Sequence, residues 1–249
     1  MRVAVCQVVG NPVRPTAGLV FPVLALTADR YYPPECLFLW LQVMNPSALF
    51  AQFQRRLSAA GGVAQWAEDL AQAAEIIATH PALIERRLII PPAFASCQPW
   101  GDILPLLRAR GIHLEEAATP EQVADAPAGL SSAALAIAET GSVFLADNAL
   151  AARIVGMLTL THFVLVSAKQ LVPLLDEAAT LLQTLTRPGP QQQHYISLVT
   201  GPSRTADIER TLTIGVQGPR ALCVIVVATP SAGNLSPATQ QAKDKHDEP

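Results

Sequence analysis

The chain has 249 residues, half of them hydrophobic and only 15% charged, with a net charge of −3 and a pI near 5.9. About 25% charged residues is usual for a soluble domain, so this composition belongs to a thick core covered on several sides and excludes a disordered chain. It offers no basic field for nucleic acid or an anionic membrane surface.

Residues 1–43 carry Pro12, Pro15, Pro22, Pro33 and Pro34 and show no sustained hydrophobic period. A poorly structured extension is expected there. Either Met44 is the natural start, or these residues form a loosely packed arm. The apolar runs Leu19 to Leu26 and Cys36 to Val43 fall short of the roughly 20 residues of a membrane span. Leu26, at the −3 position of a cut after Ala28, argues against a signal peptide. No membrane span and a cytoplasmic location are therefore expected.

From Met44 the pattern becomes regular. Asn45-Pro46 reads as an N-cap followed by proline at the first helical position, opening a helix that runs to about Ala59 and stops at Gly61-Gly62. Val63, Trp66, Leu70, Ala73 and Ile77 form one stripe, which predicts a second helix from Val63 to about Thr79. Residues 44–80 are thus an N-terminal helical segment, and 81–230 an α/β domain. In that domain Arg87 to Ile90 reads as a strand, Trp100 to Arg110 as a helix and Ile112 to Glu115 as extended chain. His162 to Val166 is a continuous apolar strand of the kind covered on both faces. Leu171 to Leu185 is predicted helical, Tyr195 to Thr200 a strand, Ser203 to about Leu212 a helix, and Ala221 to Val227 the last strand. That alternation predicts a mostly parallel sheet flanked by helices. Ser231 to Pro249, almost free of apolar residues, is expected to be a disordered tail.

Cys6, Cys36, Cys97 and Cys223 lie far apart, with no C-x-x-C pair and no H-x-x-x-H among the five histidines. No metal or iron–sulfur cluster is expected on this chain, because such centres need several ligands converging from short spacings.

Ligands of open parallel sheets collect beyond the carboxyl ends of the strands, which directs attention to three loops. In the first, Gly201 permits a tight turn, Ser203 or Thr205 can cap the predicted helix, and Arg204 can clamp an anion at its amide end, with Asp207 nearby. Equally, Ser203 and Thr205 cap only, and Arg204 pairs with Asp207 or Glu209. In the second, Glu139-Thr140-Gly141 makes a turn whose acid either serves as a general base or receives backbone N–H bonds. The third is a helix from about Asn148 to Leu158 bearing Arg153, a residue type that more often reaches along the surface to water than holds a ligand.

All three segments carry a family likeness. Thr200-Gly-Pro-Ser-Arg-Thr-Ala-Asp-Ile-Glu209, followed by Gly215-Val-Gln-Gly-Pro219, resembles the C-terminal signature of the LUD-domain family. Ala136 to Gly141 and Ala152 to Leu158 resemble two further segments in the expected order. The likeness spans roughly Met44 to Ala228. It implies a fold similar to the NagB/RpiA/CoA-transferase group. It also implies a bacterial role in oxidising L-lactate to pyruvate beside iron–sulfur and cysteine-rich-domain subunits, with the clusters on those partners and a small anionic metabolite as ligand. Position 134 is alanine where family members often have an acid, which bears on specificity. The readings set beside this one are a stand-alone enzyme acting on a phosphorylated or CoA-linked small molecule and a non-catalytic scaffold.

Overall fold

The computed structural model describes residues 46–190, 192–206 and 211–230, and the expectations for the N-terminal extension, Asn45, Asp207 and the C-terminal tail fall outside them. Helix α1, Pro46–Ala59, buries Leu49, Phe53 and Leu57, which recur at one-turn spacing on a single face. It stops because Gly61, at φ +80°, turns the chain so that the Gly61 and Gly62 N–H groups donate to the carbonyls of Ser58 and Leu57.

The next segment departs from the predicted helix. Val63–Asp69 is strand β1, and helix α2 begins only at Leu70 and ends at Thr79. Asp69 caps it by accepting the Gln72 N–H, while Gln72 Oε1 accepts the Glu68 N–H. The helical spacing of Val63, Trp66 and Leu70 is overridden by parallel pairing of β1 with the last strand of the chain.

Strand β2 (Arg87–Ile90), helix α3 (Ile103–Ala109), strand β3 (His113–Glu116), helix α4 (Pro120–Val123) and strand β4 (Ala128–Ser132) follow. A hairpin of β5 (Leu135–Ile137) and β6 (Ser142–Ala146) leads into helix α5 (Leu150–Leu158) and strand β7 (Thr161–Ser167). The rest comprises β8 (Leu171–Val172), α6 (Leu175–Thr186), β9 (Ile196–Val199), β10 (Arg204–Thr205), β11 (Thr213–Ile214) and β12 (Ala221–Thr229).

Six strands form the central sheet in the order β1-β12-β7-β4-β2-β3, and every pairing in it is parallel. The expected parallel sheet flanked by helices is therefore present. A second sheet, β8-β5-β6-β9, was not foreseen. It claims β9, which runs antiparallel to β6 instead of joining the parallel series. It also claims Leu171 and Val172, which pair with β5 and delay α6 until after Pro173. As a result only Ala178 of α6 is buried, and Leu174, Leu175 and Leu182 are exposed. The helix predicted over 203–212 is absent among its described residues, where Arg204 and Thr205 form β10 and pair antiparallel with β11 just beyond.

The core reads directly from the period-two alternation of the buried strands. Phe163 and Leu165 of β7, with Cys223, Ile225 and Val227 of β12, face α2 and α3. Val164 and Val166, with Leu222, Val224 and Val226, face α1 and the second sheet. Each such side chain contributes roughly 1.5–3 kcal/mol on full burial. Helix α5 covers β2 through Ile154 and Val155 against Ile89, and α6 covers the outer face of the second sheet. Among the described residues no helix is long and apolar enough to cross a membrane.

Candidate functional site

The two loops that drew attention in the sequence meet, because β6 pairs with β9 and the Ser142 and Thr200 hydroxyls share a hydrogen bond. What they enclose is the carboxyl end of α1. Gly141 is buried at φ +70°, and a Cβ there would lie 2.4 Å from the Leu57 nitrogen. Gly201 is buried at φ +75°, and a Cβ there would lie 2.3 Å from the Ala60 oxygen. Arg204 is exposed and donates to that same Ala60 carbonyl. A guanidinium on the last carbonyls of a helix opposes the negative end of its dipole. Gly141, Gly201 and Arg204 thus clamp α1.

The remaining predicted residues are also engaged by the protein itself. The exposed Glu139 accepts the Leu175 N–H at 3.0 Å and so caps the start of α6, whose own N-cap residue Leu174 offers no side-chain acceptor. This is the turn-residue alternative for Glu139. Ser203 Oγ donates to the Gln217 carbonyl, and Thr205 lies opposite Thr213 in the small hairpin. Thr140 Oγ1 is buried without a hydrogen-bond partner. Among the described residues no helix begins at Ser203, so the amide end that Arg204 was to flank is not formed there. The Ala134 N–H donates to the Phe144 carbonyl at the base of the β5–β6 hairpin.

A different constellation surrounds a cavity of about 40 Å³ between α5, β4 and the β6–β9 pair, and none of the residues just described lines it. Arg153 of α5 reaches across to Tyr195, its guanidinium carbon 4.2 Å from the ring centroid. Its Nε is buried without a hydrogen-bond partner, and no ion pair holds it among the described residues. Asp147 lies on the same wall, and burial pushes its carboxyl above the ordinary range. Asn148 fixes the segment carrying Tyr195, accepting the His194 N–H and donating to the Gln192 carbonyl.

At the back, Ser131 Oγ sits 2.9 Å from Nε2 of His162. His162 is fully buried, and that burial drives its pKa down to about 4, so the ring is neutral at physiological pH. Gly156 gives the ring its space, since a Cβ there would lie 2.8 Å from Cε1. In the sequence Arg153 reads as a residue reaching along the surface, and Asp147, Tyr195, Ser131 and His162 do not stand out as site residues. The available signals were one arginine in the otherwise uncharged helix Leu150–Leu158 and one histidine heading an apolar strand. Among the described residues no three His, Cys, Asp or Glu side chains gather so as to hold a metal ion.

The LUD domain model matches residues 100–227. The chain is similar to Lactate utilization protein C 1 of Bacillus mycoides, 32% identical over 99 residues, covering 40% of this chain and 42% of that protein. It is similar to Lactate utilization protein C of Bacillus velezensis, 32% identical over 107 residues with 43% and 44% covered. Against the protein of that name from Halalkalibacterium halodurans it is 31% identical over 115 residues, with 46% and 50% covered. The match therefore spans about half the length of these relatives or less. Among solved structures, a DUF162 family protein from Deinococcus radiodurans superposes with a TM-score of 0.52 at 24% identity. That superposition covers 74% of this chain and 99% of that one, and it shows the fold alone.

Proposed function

We propose, from the premise that this chain belongs to the LUD-domain family, that it is a cytoplasmic subunit of a system oxidising L-lactate to pyruvate. The observation that carries the reading is the family match over residues 100–227, together with partial similarity to relatives named for lactate utilization. In this reading the electron-carrying iron–sulfur clusters sit on partner subunits, one of them with cysteine-rich domains. This chain supplies the fold and a small-anion site.

Deleting the gene in its native host and plating on L-lactate as sole carbon source tests the proposal. Loss of growth, restored by the intact gene and accompanied by co-purification with a cysteine-rich iron–sulfur protein, is the expected result. Normal growth in a strain without a second copy refutes it.

A further inference from the structure

We infer that the cavity between α5 and the β6–β9 pair is a binding site for a small monocarboxylate bearing an oxygen on the carbon next to the carboxyl group, with Arg153 as the anchor for the carboxylate. The first ground is an unmet electrostatic demand. Arg153 stands one turn from the start of α5, where the helix dipole already presents positive charge, and no acidic residue lies in that first turn. Among the described residues its buried Nε donates to nothing, so the guanidinium is desolvated on one edge without a partner in return. A ligand carboxylate placed at that edge would accept from Nε and a terminal nitrogen together, the paired geometry arginine favours. Tyr195 already holds the guanidinium plane in place from its face.

Size and charge narrow the class. At roughly 10–15 Å³ per water position, a cavity of about 40 Å³ has room for about three waters, enough for a carboxylate on a short carbon chain and too little for a nucleotide or sugar. Arg153 is the one basic side chain lining the cavity, so the lining offers a single positive charge, which suits a monoanion over a phosphate dianion. Asp147 lines the cavity, and burial raises its carboxyl above the ordinary range, which lessens its opposition to an anionic guest. Ser131, whose hydroxyl bonds His162, also lines the cavity and suits a ligand oxygen on the second carbon. His162 bonds that hydroxyl and fixes its direction, and so acts as a positioning residue. Leu145, Ala152 and Val199 supply apolar wall for a methyl-sized tail.

The inference stands on the cavity alone. A chain that binds such an acid in a host that grows normally on L-lactate without it would sink the pathway reading and leave this site intact. The full chain is titrated with L-lactate, pyruvate, propionate and inorganic phosphate. Calorimetry gives the affinity, and the Nε–H resonance of Arg153 in nitrogen-15 spectra reports contact. L-lactate or pyruvate should bind saturably and move that resonance, with propionate and phosphate weaker by about tenfold or more. Arg153→Met should weaken the binding by about tenfold or more. Failure of every acid to saturate at tens of millimolar, equal binding of phosphate or propionate, or an unmoved resonance overturns the proposal. If Arg153→Met does not fold, Ser197→Leu closes the cavity from the opposite wall, and full affinity in that folded variant overturns it equally.

Discussion

Acidification should expose the cost of keeping His162 neutral. Its ring is enclosed by β4, β7 and α5 with Ser131 as its polar partner, and burial lowers its pKa from 6.5 to about 4. Above pH 6.5 the ring is neutral both folded and unfolded, and it contributes nothing to the pH dependence. As pH falls from 6.5 towards 4 the unfolded chain takes up a proton that the folded chain refuses, so stability declines. At about 1.4 kcal/mol per pH unit, the gap amounts to about 3 kcal/mol, a sizeable fraction of the 5–15 kcal/mol typical of a domain. His80, also lowered by burial, acts in the same direction. Asp147 and Glu177, both raised by burial, act oppositely: they cost stability at neutral pH and recover it on acidification. Comparing the native chain with His162→Gln, which keeps an amide near the Nε2 position, cancels these shared contributions. Urea unfolding from neutral pH to about pH 4.5 should show the native chain losing about 2–3 kcal/mol more than the variant. Parallel curves for the two proteins would refute the assignment of a buried neutral histidine.

The clamp on α1 and the cap of α2 yield three further expectations. Gly141→Ala and Gly201→Ala each place a methyl group against the backbone of residues 57–60 at a positive φ, and each should lose roughly 2–4 kcal/mol in urea unfolding. Arg204→Ala removes one exposed bond to the end of α1, and should cost at most about 1 kcal/mol by thermal melting while leaving small-acid affinity unchanged. Asp69→Ala removes the cap of α2 and should cost about 1 kcal/mol, measurable by the same melts; a neutral result would mean α2 does not start where Asp69 places it.

Much of the chain was legible wherever local chemistry and burial agree. The predicted strand Arg87 to Ile90 matches β2 to the residue, and β7 and β12 extend the predicted apolar runs by only a residue or two. Pro46 opens α1 as its position predicts, and Leu150–Leu158 is helical within the predicted segment. The errors arose where a segment's partner lies far away. Val63–Asp69 carries a helical stripe yet pairs with Cys223 to Thr229, and the capping signal Asp69-x-x-Gln72 inside that stripe was the local clue against an early helix. Tyr195 to Thr200 reads as a strand, but nothing within it tells a parallel sheet partner from the antiparallel β6.

The site divides along the same line. Composition, period-two alternation and the glycine-bearing loops determined the fold class, the buried strands and the family likeness, because burial and turn conformation are recorded in the identity of each residue. Which loops enclose backbone and which enclose space was decided by packing. Gly141 and Gly201 admit the end of α1 because they lack side chains, whereas Arg153, Asp147, Ser131 and Tyr195 meet around a void only when α5 is laid beside the second sheet. A cavity belongs to the distances between elements, and those distances are set by long-range contacts that no local stretch of sequence contains.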